Sequence, residues 1–277
     1  MTAPAQDMTA PTQLQAQVHD IKLNMLQLPY PSEEFVPCPG CQPVLDRPRN
    51  LHGDANTVAW YRWLLGHHLV FCIWRLMLAA LSADDERTQP YLTALYESYS
   101  ALLLYSGSCT PEVYNGVLRP RMRAADPGLS GTWARDFNRV RELQSRLIMT
   151  RHSPLSNAVR RNRNVHIKVA ARLVPDGASL LQESGRNPHQ KPSEADSDTM
   201  DTFFRAQRAP ICRHTFAEQL RARADAVLSD LSANPIQVRY DHSATDEFSL
   251  ELADHIATPL RLAEPLLFDG SNTSDHI

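Results

Sequence analysis

From Val58 to Leu81 the chain is almost continuously apolar, broken by Arg62, Gly66, His67, His68 and Arg75. The uncharged centre is shorter than the ~20 apolar residues that a membrane-spanning helix needs, so a buried core helix is expected. Trp60, Trp63, Leu64, His67, Phe71, Trp74 and Met77 fall on neighbouring faces at helical spacing, which places this segment at the centre of the fold. His67 and His68 occupy different faces, and one of them is expected to point inward. The segment is introduced by Leu51-His52-Gly53-Asp54-Ala55-Asn56-Thr57, where Gly53 permits a tight backbone path and Asp54, Asn56 or Thr57 can cap the helix.

The rest reads as helices that pack on this one, an all-α bundle. Gln89 to Tyr105 begins with Pro90, which suits a first helical turn, and stacks Tyr91, Leu95, Tyr99, Leu102 and Leu103. Thr110-Pro111-Glu112 starts a third helix as N-cap, N1 and N2, and Pro120 is expected to end or kink it. Arg119, Arg121 and Arg123 flank that proline as a solvated helix end or an anion clamp. A loop from Asp126 to Trp133 leads to a fourth helix, Ala134 to Thr150. Ser156 is expected to cap a fifth, on which His166, Val169, Ala170, Leu173 and Val174 form one inward stripe before Pro175-Asp176-Gly177 stops it. Met200–Gln207 and Thr215–Leu231 also read as helical. Glu183 to Ser197 is polar and is expected to be a mobile loop that could serve as a lid.

At the N-terminus, residues up to about Gln13 are expected to fray and Leu14–Leu28 to form a short helix. Pro29 to Asn50 holds six prolines and reads as an irregular surface strap. Ile236–Tyr240 alternates like a strand, Glu247–Glu264 is ambiguous around Pro259, and Asp269 onward is a polar tail. The expected organisation is therefore an extension and strap over 1–50, a single helical domain over 51–268, and a tail over 269–277.

A net charge of -3 and arginines interleaved with core residues argue against a nucleic-acid surface. Five cysteines lack the dense spacing of a disulfide scaffold, and no charged leader precedes an apolar run, so a cytoplasmic protein is expected. Cys38-Pro39-Gly40-Cys41 has no partner pair and reads as a turn rather than a zinc knuckle. There is no glycine-rich phosphate loop and no serine-nucleophile elbow.

The chemical candidate is His166. A helix presenting one inward imidazole beside Arg161, Lys168 and Arg172 suits an iron porphyrin, whose metal takes an axial imidazole and whose propionates seek cations. The competing reading is a core histidine bonded to a neighbour.

The order of segments adds a resemblance. His52 and Asp54 followed by a helix carrying His68, Trp74 and Leu76 resemble the first core helix of tryptophan dioxygenase and the related histidine-ligated haem aromatic oxygenases. Cys109-Thr110-Pro111-Glu112-Val113-Tyr114 leading to Leu118-Arg119 and Ser130-Gly131 is similar to the next signature of that family. Asn164-Val165-His166 to Arg172-Leu173 resembles its proximal-ligand helix, and Phe203-Phe204-Arg205 is a weaker match. The likeness implies haem b held by His166 as axial iron ligand, His52 as the distal catalytic histidine, Ser130 at the haem edge, and Arg119 as clamp for the substrate carboxylate. Extra residues around Pro120 and Pro127 leave Arg121 or Arg123 as alternatives to Arg119; there are also extra residues between His52 and the first core histidine, and His67 or His68 stand as alternatives to His52. The substrate loop of the tryptophan enzymes is absent. The proline strap and Ser130-Gly131-Thr132-Trp133 look more like the bacterial haem-dependent L-tyrosine hydroxylases of natural-product pathways. That branch implies hydroxylation of L-tyrosine to 3,4-dihydroxyphenylalanine, with hydrogen peroxide (or dioxygen) as co-substrate and a homodimeric, membrane-free enzyme. The rival expectations are a haem oxygenase acting on an indole amino acid, a haem-binding module without turnover, and a cofactor-free helical protein.

Overall fold

The computed structural model describes residues 23–38, 40, 53–83, 88–146, 153–174, 177–236 and 251–258. The central helix, α1 (Ala55–Ser82), starts where Asp54 Oδ1 accepts a hydrogen bond from the Thr57 N–H at 2.8 Å. By length and composition it could cross a membrane, but most of its surface is buried against the rest of the protein. Among the described residues, α2 (Gln89–Ser106), α4 (Arg135–Gln144), α8 (Arg213–Ala233) and the helix that starts at Pro111 pack directly on it. The helix of His166, α5 (Pro154–Leu173), packs on α2. At Gly66 α1 runs tight against α2: a Cβ atom there would stand 2.0 Å from Ser106 Oγ.

Three of the polar interruptions in α1 are accounted for by distant partners. Arg62 donates to Asp230 Oδ2 at 2.7 Å, and Tyr105 donates to the same oxygen at 3.0 Å. Arg75 donates to the carbonyls of Pro31 and Glu33 while its guanidinium lies 4.8 Å from the centre of the Phe35 ring, so it fastens the proline strap. His68 donates from Nε2 to the Phe204 carbonyl and accepts at Nδ1 from Arg223 Nε at 3.1 Å. A buried polar group costs stability unless it is paired, and each of these side chains finds partners, although Arg75 Nε has none among the described residues.

The third helix, α3, is continuous through Pro111–Val113, a π-helical turn at Tyr114–Leu118, and Arg119–Ala125. Pro120 therefore neither ends it nor breaks it. Proline offers no N–H and crowds the preceding turn, and the wider π turn, in which the Arg119 N–H bonds the Tyr114 carbonyl, absorbs both defects. Thr110 caps α3 as expected, accepting from the Val113 N–H. The fifth helix is capped by Ser153, not Ser156: Ser153 Oγ accepts from the Ser156 N–H, and Pro154 takes the first helical position.

Two segments expected to be helical contain strand. Leu26–Leu28 (β1) pairs in parallel with Ala206–Arg208 (β2), Leu26 opposite Ala206. Leu26 and Leu28 are fully buried, and Gln27 is satisfied by the side chain of Gln219 on α8. Period-two burial in so short a run is too weak to outvote a helical pattern in the sequence. Helix α7 (Glu194–Phe203) ends before β2, and the chain turns between them through Arg205 at φ 53°.

Glu183–Ser197 is not a loose loop. Leu180–Glu183 (α6) is a capped turn anchored by buried Leu180 and Leu181, and Ser193 caps α7. Between them Arg186 pairs with Asp126 and Asp196 and lies over the Trp133 ring. The expectations for residues 1–22, for the turn at Pro39 and Cys41, for Ile236–Tyr240 beyond Ile236, for most of Glu247–Glu264 and for the C-terminal tail fall outside the described residues.

Candidate active site

A cavity of about 620 Å³ is lined by α1, α2, α3 and α5, with the Ser130–Thr132 turn, the Gly177–Leu180 segment and residues of α4 and α7 adding to its wall. Its lining is largely aromatic and aliphatic, including Trp63, Trp74, Tyr99, Leu103, Phe137 and Phe204. That size and polarity suit a large, mostly apolar ligand. Among the described lining residues the titratable side chains are His67, His166, Arg119 and the phenols of Tyr99 and Tyr114, with no carboxylate or thiol.

His67 is the polar residue of α1 that the protein core does not absorb. Its Nδ1 donates to the Trp63 carbonyl at 2.6 Å, a bond that fixes the tautomer and leaves Nε2 as an acceptor. The ring is held between Trp63, centroids 4.4 Å apart, and Phe204, stacked at 4.3 Å. Burial pushes its pKa down to about 4, against the opposing hydrogen bond to Trp63, and the neighbouring His166 lowers it further. Near neutrality Nε2 therefore carries no proton.

His166 reaches the same cavity from α5. The predicted inward stripe is split: Val169 and Leu173 are buried, whereas His166 and Ala170 remain open to the cavity. Burial lowers its pKa as well. Its helix is held against the loop before α3 by Arg172, which donates to the carbonyls of Gly107 and Cys109.

Arg119 is 7 % exposed and stands at the cavity edge, donating from Nη2 to the Ala178 carbonyl at 2.6 Å and to Glu183 Oε1 at 2.7 Å. Arg121 points elsewhere: it donates to the Val117 carbonyl and lies over the Trp60 ring, and it does not line the cavity. Arg123 is half exposed and pairs with the other oxygen of Glu183 at 2.6 Å. Ser130 lines the cavity, where its hydroxyl accepts from the Thr132 N–H and caps the short turn Gly131–Trp133. His52 lies outside the described residues. His68 faces away from the cavity toward Arg223.

The structure thus brings His67, His166, Arg119 and Ser130 together. The sequence offered His67 and His68 without deciding between them, and it gave Glu183 no role at all. The only local signal for His67 is its place one helical turn after Trp63, which shares its face.

The donor set fits an iron porphyrin. Imidazole nitrogen is a ligand for haem iron, and His166 presents one to the cavity from α5. Apolar walls suit the macrocycle, and Trp63 Nε1, buried on this wall, has no hydrogen-bond partner among the described residues.

No curated protein matches the chain. The family model described as SfmD 3-methyl-L-tyrosine peroxygenase matches residues 5–158, more than half of the 277 residues. The matched stretch includes His67, Arg119 and Ser130 and stops before His166. The chain belongs to the SfmD 3-methyl-L-tyrosine peroxygenase family, a family of oxidoreductases.

Proposed function

We propose that the cavity binds haem b and that the protein uses hydrogen peroxide to hydroxylate the ring of a tyrosine-class amino acid ortho to the phenol. With L-tyrosine the product is 3,4-dihydroxyphenylalanine. The net change replaces a ring C–H by C–OH and releases water from the peroxide. The observation that carries this reading is the pair of imidazoles, His67 on α1 and His166 on α5, sharing one apolar cavity with a buried arginine at its edge.

His166 is the residue assigned to hold the iron. Haem, when bound, supplies peroxide activation and oxygen transfer. His67 Nε2 accepts a proton from peroxide and returns it to the departing oxygen, a role suited to an unprotonated imidazole whose other nitrogen is tied down. The Trp63 and Phe204 rings flank that imidazole and hold its plane. Arg119 takes the substrate carboxylate in a charge-assisted hydrogen bond and so fixes which ring carbon is presented. Ser130 lies against the edge of the bound group.

The test is an absorption spectrum of the purified protein before and after addition of L-tyrosine and, separately, 3-methyl-L-tyrosine. It is followed by mass analysis of products formed with peroxide. A haem band perturbed by either ligand and a product heavier by one oxygen support the proposal. A colourless protein after expression with haem supplied refutes it.

A further inference from the structure

A free amino acid carries an ammonium as well as a carboxylate, yet no carboxylate lines the described part of the cavity. The nearest acidic group to its one arginine is Glu183, whose Oε1 lies 2.7 Å from Arg119 Nη2. Glu183 sits on α6 shortly after Ser179 and Leu180, both of which line the cavity. Its position is set by several contacts. The capping box of Ser179 and Gln182 fixes the turn, Leu180 and Leu181 anchor it, and Arg123 holds Oε2 at 2.6 Å. The two arginines keep the carboxyl below its ordinary range, so it is ionised at neutral pH.

Arg119 uses a single nitrogen, Nη2, for its contacts with Ala178 and Glu183. Among the described residues Nη1 and Nε make no hydrogen bond, and Arg119 lines the cavity. A ligand carboxylate can therefore reach Arg119 while Glu183 stays in place. In an α-amino acid the ammonium and the carboxylate are two bonds apart, so a carboxylate on Arg119 brings the ammonium next to Glu183 Oε1.

We infer that Glu183 is the ammonium-binding residue of this site, with Arg119 and Glu183 together reading the zwitterion. The inference rests on the proposal that Arg119 binds the substrate carboxylate. Its consequence is selectivity for free amino acids over phenols that carry only one of the two charges, because an ion left without its partner in a half-buried site is costly.

Isothermal titration calorimetry on the haem-loaded protein tests it with L-tyrosine, 3-(4-hydroxyphenyl)propanoate, which lacks the ammonium, and tyramine, which lacks the carboxylate. 3-Methyl-L-tyrosine replaces L-tyrosine if it is the tighter ligand. The wild type is expected to bind the amino acid at least tenfold more tightly than the propanoate. Glu183→Gln should reduce that ratio to within about threefold of unity, and Glu183→Asp should restore part of it. A wild type without the preference, or a Glu183→Gln variant that keeps it, overturns the inference. Arg119→Gln separates the two claims: if it weakens both carboxylate-bearing ligands but not tyramine, the carboxylate assignment stands whatever Glu183 does. If it changes none of the three, the underlying site reading fails, and the Glu183 inference with it.

Discussion

The ring of Phe204 lies stacked on the imidazole of His67, centroids 4.3 Å apart and planes 14° from parallel. The backbone carbonyl of the same phenylalanine accepts a hydrogen bond from His68, whose other nitrogen is bonded to Arg223 on α8. Two adjacent histidines thus divide the labour. His68 fastens the turn after α7 to the core, and that turn supplies the ring against which His67 rests.

His68 should make the protein acid-sensitive. Burial, and next the charge of Arg223, push its pKa from 6.5 down to about 3 in the folded state. As pH falls below 6.5 the unfolded chain takes up a proton that the folded chain refuses, so stability is full above that pH and declines toward pH 3. The expected slope from this one group is about 1.4 kcal/mol per pH unit. Urea unfolding of the apo protein between pH 7 and pH 4.5 measures it, and His68→Gln should flatten the curve by about that amount.

Replacing the two cavity histidines should separate haem retention from turnover. His166→Ala is expected to lower the haem bound per purified chain at least tenfold. His67→Ala should keep most of the haem and lose about 10²–10⁴-fold in peroxide-driven hydroxylation, the usual worth of a positioned general base. Retained haem in His166→Ala would remove that residue as the axial ligand.

Arg119→Gln removes a charge-assisted contact worth about 1.5–3 kcal/mol, so the Kd for L-tyrosine should rise about tenfold to a hundredfold. Binding of 4-methylphenol, which has no carboxylate, should be unchanged. Equal weakening of both ligands would show that the arginine shapes the cavity and does not recognise the amino-acid end.

Gly66→Ala should destabilise the protein by about 1–3 kcal/mol, as overpacking of a well-filled contact does. The added Cβ would meet Ser106 Oγ at 2.0 Å and Tyr105 Cδ1 at 3.2 Å, forcing α1 away from α2 one residue from His67. Thermal unfolding checks the loss. A second change, Ser106→Ala, removes the nearest atom and should recover part of it.

The sequence by itself determined most of the helices and some of their boundaries. The apolar run of α1, Asp54 before it, Thr110-Pro111 before α3 and the break after Val174 are local features, and local backbone chemistry reads them directly. It also put His166 on a helix face with Val169 and Leu173. What it left open was the direction of each polar side chain in α1. Arg62, His68 and Arg75 look as chemically available as His67 until Asp230, Phe204, Arg223 and the strap carbonyls are brought to them from far along the chain. The same holds for Glu183, which reads as part of a polar loop and meets Arg119 only when α6 folds back on α3. Helical periodicity repeats every few residues and says which side chains share a face. Which face meets a cavity, and which polar group is already satisfied, depends on partners more than a hundred positions away that only the packed chain supplies.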